Sequence, residues 1–252
     1  MIKIENVKKV YSGRKGAVHA LGPLTMDIED GEFVSFLGPS GCGKSTLLMM
    51  IAGLLDCSEG HIEIDGQEVK KARTDIGIVF QKPVLVDWRD MLGNVMLQIE
   101  MRNLSTERYL DKAKELLSSV GLGDFLTSMP YELSGGMRQR TSFCRSLIHD
   151  PPIVLMDEPL GALDAMTREQ LRGDLERLWM KTKKTFLFVT QDIGEAIRLS
   201  DRVVVITPRP GQIGAIMDIP LERPRSMDVK QNAEFLQHEK EITDIFSSYG
   251  VI

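Results

Sequence analysis

The chain has 252 residues, 42% of them hydrophobic and 27% charged, and carries a net charge of -5. These proportions belong to a soluble globular protein with room for a sizeable core, and they exclude disordered and fibrous classes. The acidic balance and the scattering of Lys and Arg argue against a nucleic-acid partner, because no basic stripe is available to neutralise a run of phosphates. The longest apolar stretch, Leu47 to Leu55, is far shorter than the ~20 residues a spanning helix needs, and the N-terminus enters an alternating pattern without a signal sequence. A soluble, non-exported chain is therefore expected. Cys42, Cys57 and Cys144 have no paired or metal-like spacing and are read as small core or loop residues in a reducing compartment.

In chain order, Ile2 and Ile4 alternate with polar neighbours, and Leu24, Met26 and Ile28 alternate up to an Asp30-Gly31 turn. This predicts a hairpin feeding a buried strand over Phe33 to Leu37. Ile62 and Ile64 lead into a second turn at Asp65-Gly66, and Ile76 to Phe80 reads as another buried strand. Helical spacing then takes over, with Leu110, Ala113, Leu117 and Val120 on one face of a helix stopped by Gly121. A helical insert over residues 88–150 is expected. Beyond it the apolar runs Ile153 to Met156, Phe186 to Val189 and Val203 to Ile206 alternate with helical patterning such as Leu171, Leu175, Leu178 and Trp179. Strands alternating with helices imply parallel pairing. A connector around Pro220 and Pro224 precedes a last helical pattern at Phe235, Ile242, Ile245 and Phe246, which makes 220–252 a C-terminal extension of a single 1–252 domain.

Gly38-Pro39-Ser40-Gly41-Cys42-Gly43-Lys44-Ser45, continued by Thr46, matches G-x-x-x-x-G-K-[ST] between a predicted strand and a predicted helix. Glycines let backbone N–H groups turn onto phosphate oxygens, and the helix opening near Lys44 aims its positive end at the same anion. In such a loop Lys44 bridges the β- and γ-phosphates and the Ser45 hydroxyl ligates Mg²⁺. Ile153 to Met156 ends in Asp157 and Glu158. Asp157 is the candidate for the magnesium shell, and Glu158 is the candidate base for the attacking water. The same two acids could instead cap the next helix.

Leu133-Ser134-Gly135-Gly136-Met137-Arg138-Gln139 reads as a capped helix start. Ser134 is the cap of a helix running to about His149, and the two glycines leave its first N–H groups bare. With these motifs in this order, the sequence resembles the ATP-binding-cassette family over nearly its whole length. Gly38 to Ser45 looks like Walker A, Gln81 like the Q-loop, Leu133 to Gln139 like the signature motif, Ile153 to Glu158 like Walker B, and Leu163-Asp164 like the D-loop. Tyr11 falls where the family places an aromatic against adenine, although ordinary strand packing would also use an aromatic there.

The resemblance implies an α/β P-loop NTPase core with a parallel sheet, an antiparallel β subdomain and an inserted α-helical subdomain. It implies ATP and Mg²⁺, with Gln81 joining Ser45 and Asp157 at the metal, and Ser134, Gly135, Gly136 and Asp164 facing a partner's nucleotide. The implied assembly is a head-to-tail homodimer on transmembrane permease subunits, served by an extracytoplasmic substrate-binding protein and lying peripherally on the cytoplasmic face of the cell membrane. Asp87-Trp88-Arg89 with Asn94-Val95, Ala162 to Ala165 with Thr167-Arg168, and Thr207 to Gly211 are similar to the importers of nitrate, taurine, sulfonates and pyrimidine vitamin precursors. Asp87 stands where many members have proline.

The family's switch histidine is replaced here, since the chain reads Val189-Thr190-Gln191-Asp192. Gln191 can donate a hydrogen bond to a γ-phosphate but cannot take a proton near neutral pH. Slow hydrolysis with Glu158 as the main base is expected; a weakly hydrolysing regulatory cassette is the alternative.

Overall fold

The computed structural model describes residues 1–13 and 16–251, so Ile252 of the 220–252 stretch lies outside the described residues. The first half of the chain contains strands β1 (Ile2–Gly13), β2 (Gly16–Ile28) and β3 (Phe33–Leu37), helix α1 (Lys44–Ile51), strands β4 (Glu59–Ile64), β5 (Gln67–Glu68) and β6 (Ile76–Val79), and helices α2 (Met91–Met101) and α3 (Thr106–Ser119). The second half contains α4 (Gly135–Leu147), β7 (Ile153–Asp157), α5 (Ala165–Thr182), β8 (Thr185–Thr190), α6 (Ile193–Leu199), β9 (Arg202–Ile206), β10 (Ile213–Asp218) and α7 (Ala233–Ser248). Two compact units result, Met1–Thr74 with Trp179–Ile252, and Asp75–Leu178, with the division falling inside α5.

In the first unit, β1 lies between β2 and β4 in an antiparallel sheet of order β2-β1-β4-β5. The Asp65-Gly66 turn joins β4 to β5, as its sequence predicts. Beside this sheet, β3 pairs in parallel with both β8 and β9. Strand β3 is buried along its whole length, which is why it reads as a continuous apolar run without alternation. Phe33 packs on Phe186 and Phe188 with ring centroids 5.4 and 6.1 Å apart, and each such fully buried ring contributes roughly 1.5–3 kcal/mol. Strand β10 is antiparallel to β9 and escapes the parallel pattern the sequence suggests. Its residues are mostly half-buried and include two glycine-sized or acidic positions, Gly214 and Asp218, so no clean apolar run marks it.

The stretch after β10 is more than a connector. Arg225 is buried and its guanidinium donates to the carbonyls of Ile197, Ser200, Ile219 and Leu221 at 2.6 to 3.1 Å. That knot pins the stretch to the end of α6, and Phe235, Ile242 and Phe246 of α7 then close over a core that includes Leu37, Ile197 and Val205.

In the second unit, β6 and β7 pair in parallel, and α2, α3 and α4 enclose a separate core of Val95, Ile99, Ala113, Leu117, Leu122 and Ile148. Asp90 starts α2 by accepting from Gly93 N–H at 2.7 Å. On α3, Ala113 and Leu117 are buried as their spacing predicts, whereas Leu110 is 37% exposed at the margin of that face. The helical part of this unit is bounded by its strands, since the unit begins with β6 and also contains β7.

Candidate functional site

In the first unit the loop from Gly38 to Gly43 leaves the end of β3 where Leu37 lies beside Thr190 on one side and Val205 on the other. Ligands collect at this end of parallel strands, and Gln191 emerges there too, one residue beyond β8. Gly43 sets up the turn into α1. Its φ is 107°, and a Cβ there would lie 2.5 Å from Leu21 Cδ2, so only glycine fits. The bond from Leu47 N–H to Gly43 O opens α1, and the N–H groups of its first turn, from Lys44 to Thr46, point along the axis at that end. They form the positive end of α1 above the loop.

The Lys44 ammonium donates to Gly38 O at 2.7 Å and to Pro39 O at 2.9 Å, so the cation sits within the loop rather than out in solvent. Cys42 is buried, and burial pushes its thiol above the ordinary range, with the Lys44 charge opposing the shift. It remains a protonated packing residue. Ser40, Gly41 and Ser45 are exposed, and Pro39 and Thr46 are half-buried. Tyr11 is 41% exposed, with its hydroxyl 3.3 Å from Thr46 Oγ1 and the Lys9 ammonium 5.3 Å from its ring centre. An exposed ring beside the loop is not core packing, and its open face can take a flat base.

A hydrogen-bonded frame surrounds Gln191. The Thr190 hydroxyl donates to Glu195 Oε2 at 2.8 Å, Asp192 N–H donates to that same hydroxyl oxygen at 3.1 Å, and Glu195 N–H donates to Asp192 Oδ1 at 2.7 Å. Asp192 therefore caps α6 while Gln191 is left exposed on a turn fixed from both sides.

In the second unit the register supplies the same logic. Val79 pairs with Met156, which puts Gln81 and Glu158 each two residues past the paired strands at one end. A Cβ on Gly161 would lie 3.7 Å from Gln81 Nε2 and 3.9 Å from Glu158 Oε2, so the two side chains converge over that glycine. Glu158 has a φ of 43°, a strained conformation for a non-glycine residue that costs about 1–3 kcal/mol and is characteristic of functional positions. Asp157 ends β7 half-buried. Neither acid caps the following helix: α5 starts at Ala165, and Asp164 accepts from Thr167 N–H at 3.0 Å. The Thr167 side chain first, and its backbone N–H second, hold the exposed Asp164 carboxyl below the usual carboxylate range.

Ser134 begins α4, its hydroxyl accepting from Met137 N–H at 3.3 Å. Of the two glycines after it, Gly135 faces open space, while a Cβ on Gly136 would lie 2.3 Å from Thr167 Cγ2. Ser134 to Gly136 thus lies against the start of α5 beside Asp164. Glu195 and Arg145 lie outside every motif of the sequence, and the motifs that hold Thr190 and Gln139 do not reveal what those side chains bond.

Residues 21–161 match the family profile described as ABC transporter. The chain belongs to that family. Over 254 residues it is 42% identical to the taurine import ATP-binding protein TauB of Rhizobium johnstonii, covering 98% of this chain and 97% of that one. It is 40% identical to the aliphatic sulfonates import ATP-binding protein SsuB of Bacillus cereus, covering 100% of this chain and 98% of that one. Among solved structures, a dimeric ATP-binding cassette in a post-hydrolysis state, bound to ADP and Pi, superposes with a TM-score of 0.78 at 34% identity, over 88% of this chain and all of that one. The α/β fold of this family member is that of an ATP-binding cassette, and the protein is an ATPase of the ABC type.

Proposed function

We propose that this chain is the ATP-hydrolysing subunit of an importer for a small organic sulfonate such as taurine, working as a homodimer on the cytoplasmic side of its permease. The observation that carries the reading is the glycine loop at the end of β3, with the Lys44 ammonium inside it, in a chain alike over its full length to import ATP-binding proteins. Residues 1–252 act as one cassette, in which 88–150 is the helical insert and 220–252 the extension.

Each candidate residue has a role that its surroundings support. Lys44 and the N–H groups opening α1, with Gly38 to Thr46, hold the phosphates of ATP, and Tyr11 faces the adenine. The side-chain oxygens of Ser45, Gln81 and Asp157 are the hard donors that suit Mg²⁺, which keeps most of its shell as water and substrate phosphate. Bound there, the metal neutralises charge on the phosphates. Glu158, held in its strained turn, accepts the proton of the attacking water, and Gln191 donates to the terminal phosphate. Ser134, Gly135, Gly136 and Asp164 face the nucleotide of the second copy, so that two chains are needed for two complete sites. Permease subunits and a substrate-binding protein complete the importer, which places this chain peripherally at the inner face of the membrane.

The test is steady-state hydrolysis by the full chain. Glu158→Gln lowers kcat by about 10²–10³ with ATP binding retained, since it removes the proton acceptor and leaves the phosphate loop intact. Wild-type turnover in that variant refutes the assignment of the base. For the substrate, taurine and alkyl sulfonates raise ATP turnover in the reconstituted complex; stimulation by nitrate alone would replace that substrate class.

A further inference from the structure

The segment from Phe80 to Asp90 carries no regular secondary structure, yet it is held along its length by side chains from two helices. Helix α4 lies so close to β6 that a Cβ on Gly77 would come within 2.5 Å of Ser146 O. From that position the buried Gln139 donates its amide to Phe80 O at 3.1 Å. One turn and a half further along α4, Arg145 spreads its guanidinium over two successive carbonyls, Pro83 O at 3.0 Å and Val84 O at 2.8 Å. Gln81 is therefore bracketed by two grips from one helix. The far end of the segment is held from α2 by Asn94, which is fully buried and exchanges bonds with the backbone of Val86 at 2.7 and 3.1 Å.

Two features set the Arg145 grip apart from routine loop packing. Among the described residues no carboxylate pairs with Arg145, whose partners are backbone oxygens alone, and burial holds its guanidinium below its ordinary value. A partly buried cation without a counter-charge is costly to keep. The second feature is Val84. Its φ of 45° is a left-handed conformation that a β-branched residue strongly resists, and its side chain is 60% exposed, so no core contact holds it there. The Arg145 bond to its carbonyl is what the structure offers in compensation.

We propose that Arg145 is a positioning residue that ties Gln81 to the helix beginning at Ser134, so that these two elements move as one piece. The proposal rests on the nucleotide roles given above to Gln81, Glu158 and Ser134, and deepens them. Because Gln81 meets Glu158 over Gly161, the tie also sets how Gln81 is presented to the hydrolytic base. The bonds of the tie leave the Lys44 loop and Tyr11 as they are, so it acts on turnover more than on affinity.

The experiment compares Arg145→Ala, Arg145→Lys and Gln139→Ala in the full chain, measuring kcat, KM for ATP, melting temperature and amide hydrogen exchange over Lys82 to Trp88. A lysine has one ammonium and cannot fork across two carbonyls. Both Arg145 variants are expected to lower kcat, by about tenfold for alanine and less for lysine, with KM within about twofold. Exchange over Lys82 to Trp88 accelerates, while that of α3 does not change. Val84→Gly takes the left-handed conformation without strain, keeps wild-type turnover by itself and recovers most of the loss in the Arg145→Lys background. If Arg145→Lys is folded and keeps wild-type kcat, or if KM rises in step with the fall in kcat, the proposal is overturned. Failure of the underlying reading shows separately, as unimpaired hydrolysis by Glu158→Gln.

Discussion

Thr190→Val tests the frame around Gln191 with little change of shape. The substitution exchanges a hydroxyl for a methyl at a residue that is 4% exposed, and it removes two bonds at once. One is donated to the carboxylate of Glu195, itself 5% exposed, and the other is accepted from Asp192 N–H. A bond to a charged group is worth about 1.5–3 kcal/mol and a neutral one about 0.5–1.5, which together predict a loss of roughly 2–4 kcal/mol. In a chain of this size that lowers the melting temperature by roughly 5–15 °C. Freed from its frame, Gln191 no longer holds a fixed position, and kcat is expected to fall about tenfold. Thermal and urea unfolding followed by circular dichroism, with ATPase rates on the same preparations, give both readings. Thr190→Ser retains the hydroxyl and recovers most of each loss. A Thr190→Val protein within about 0.5 kcal/mol of wild type, or a serine variant as damaged as the valine one, refutes the reasoning.

The remaining predictions concern fold and site separately. Burial pushes the Cys144 thiol up to about 12 in the folded protein, above its ordinary value near 9. The unfolded chain therefore loses this proton first, and stability that is complete below pH 9 declines as pH rises towards 12, by up to about 1.4 kcal/mol per unit. Cys144→Ala removes that slope, which is read from urea unfolding of both proteins at pH 8 to 11. Arg225→Ala leaves several buried carbonyls without their donor and costs about 3–5 kcal/mol, and Arg225→Lys, with fewer donors in a different geometry, costs less; equilibrium unfolding checks both. Gly135→Ala adds a methyl where nothing lies within 4 Å, so its melting temperature matches wild type, whereas hydrolysis that depends on a second copy falls about tenfold. Loss of folding in that variant would mean that Gly135 serves structure.

Much of this protein is decided locally and was legible from the sequence alone. The glycine loop before Lys44, the acids after Ile153 to Met156, the Ser134 cap and the Asp65-Gly66 turn depend on backbone conformation and short-range periodicity, which neighbouring residues dictate. Their order along the chain was enough to point to the family. Other features exist only where distant segments meet. The antiparallel placement of β10, the convergence of Gln81 and Glu158 over Gly161, and the packing of Gly136 on Thr167 follow from strand register and close approach. Arg225 and Arg145 look like ordinary surface cations in the sequence, because a chain position does not reveal which carbonyls will surround a side chain. Arg225 reaches carbonyls 25 to 28 positions away as well as nearer ones, and Arg145 reaches carbonyls 61 to 62 positions away, so folding alone brings those carbonyls within reach.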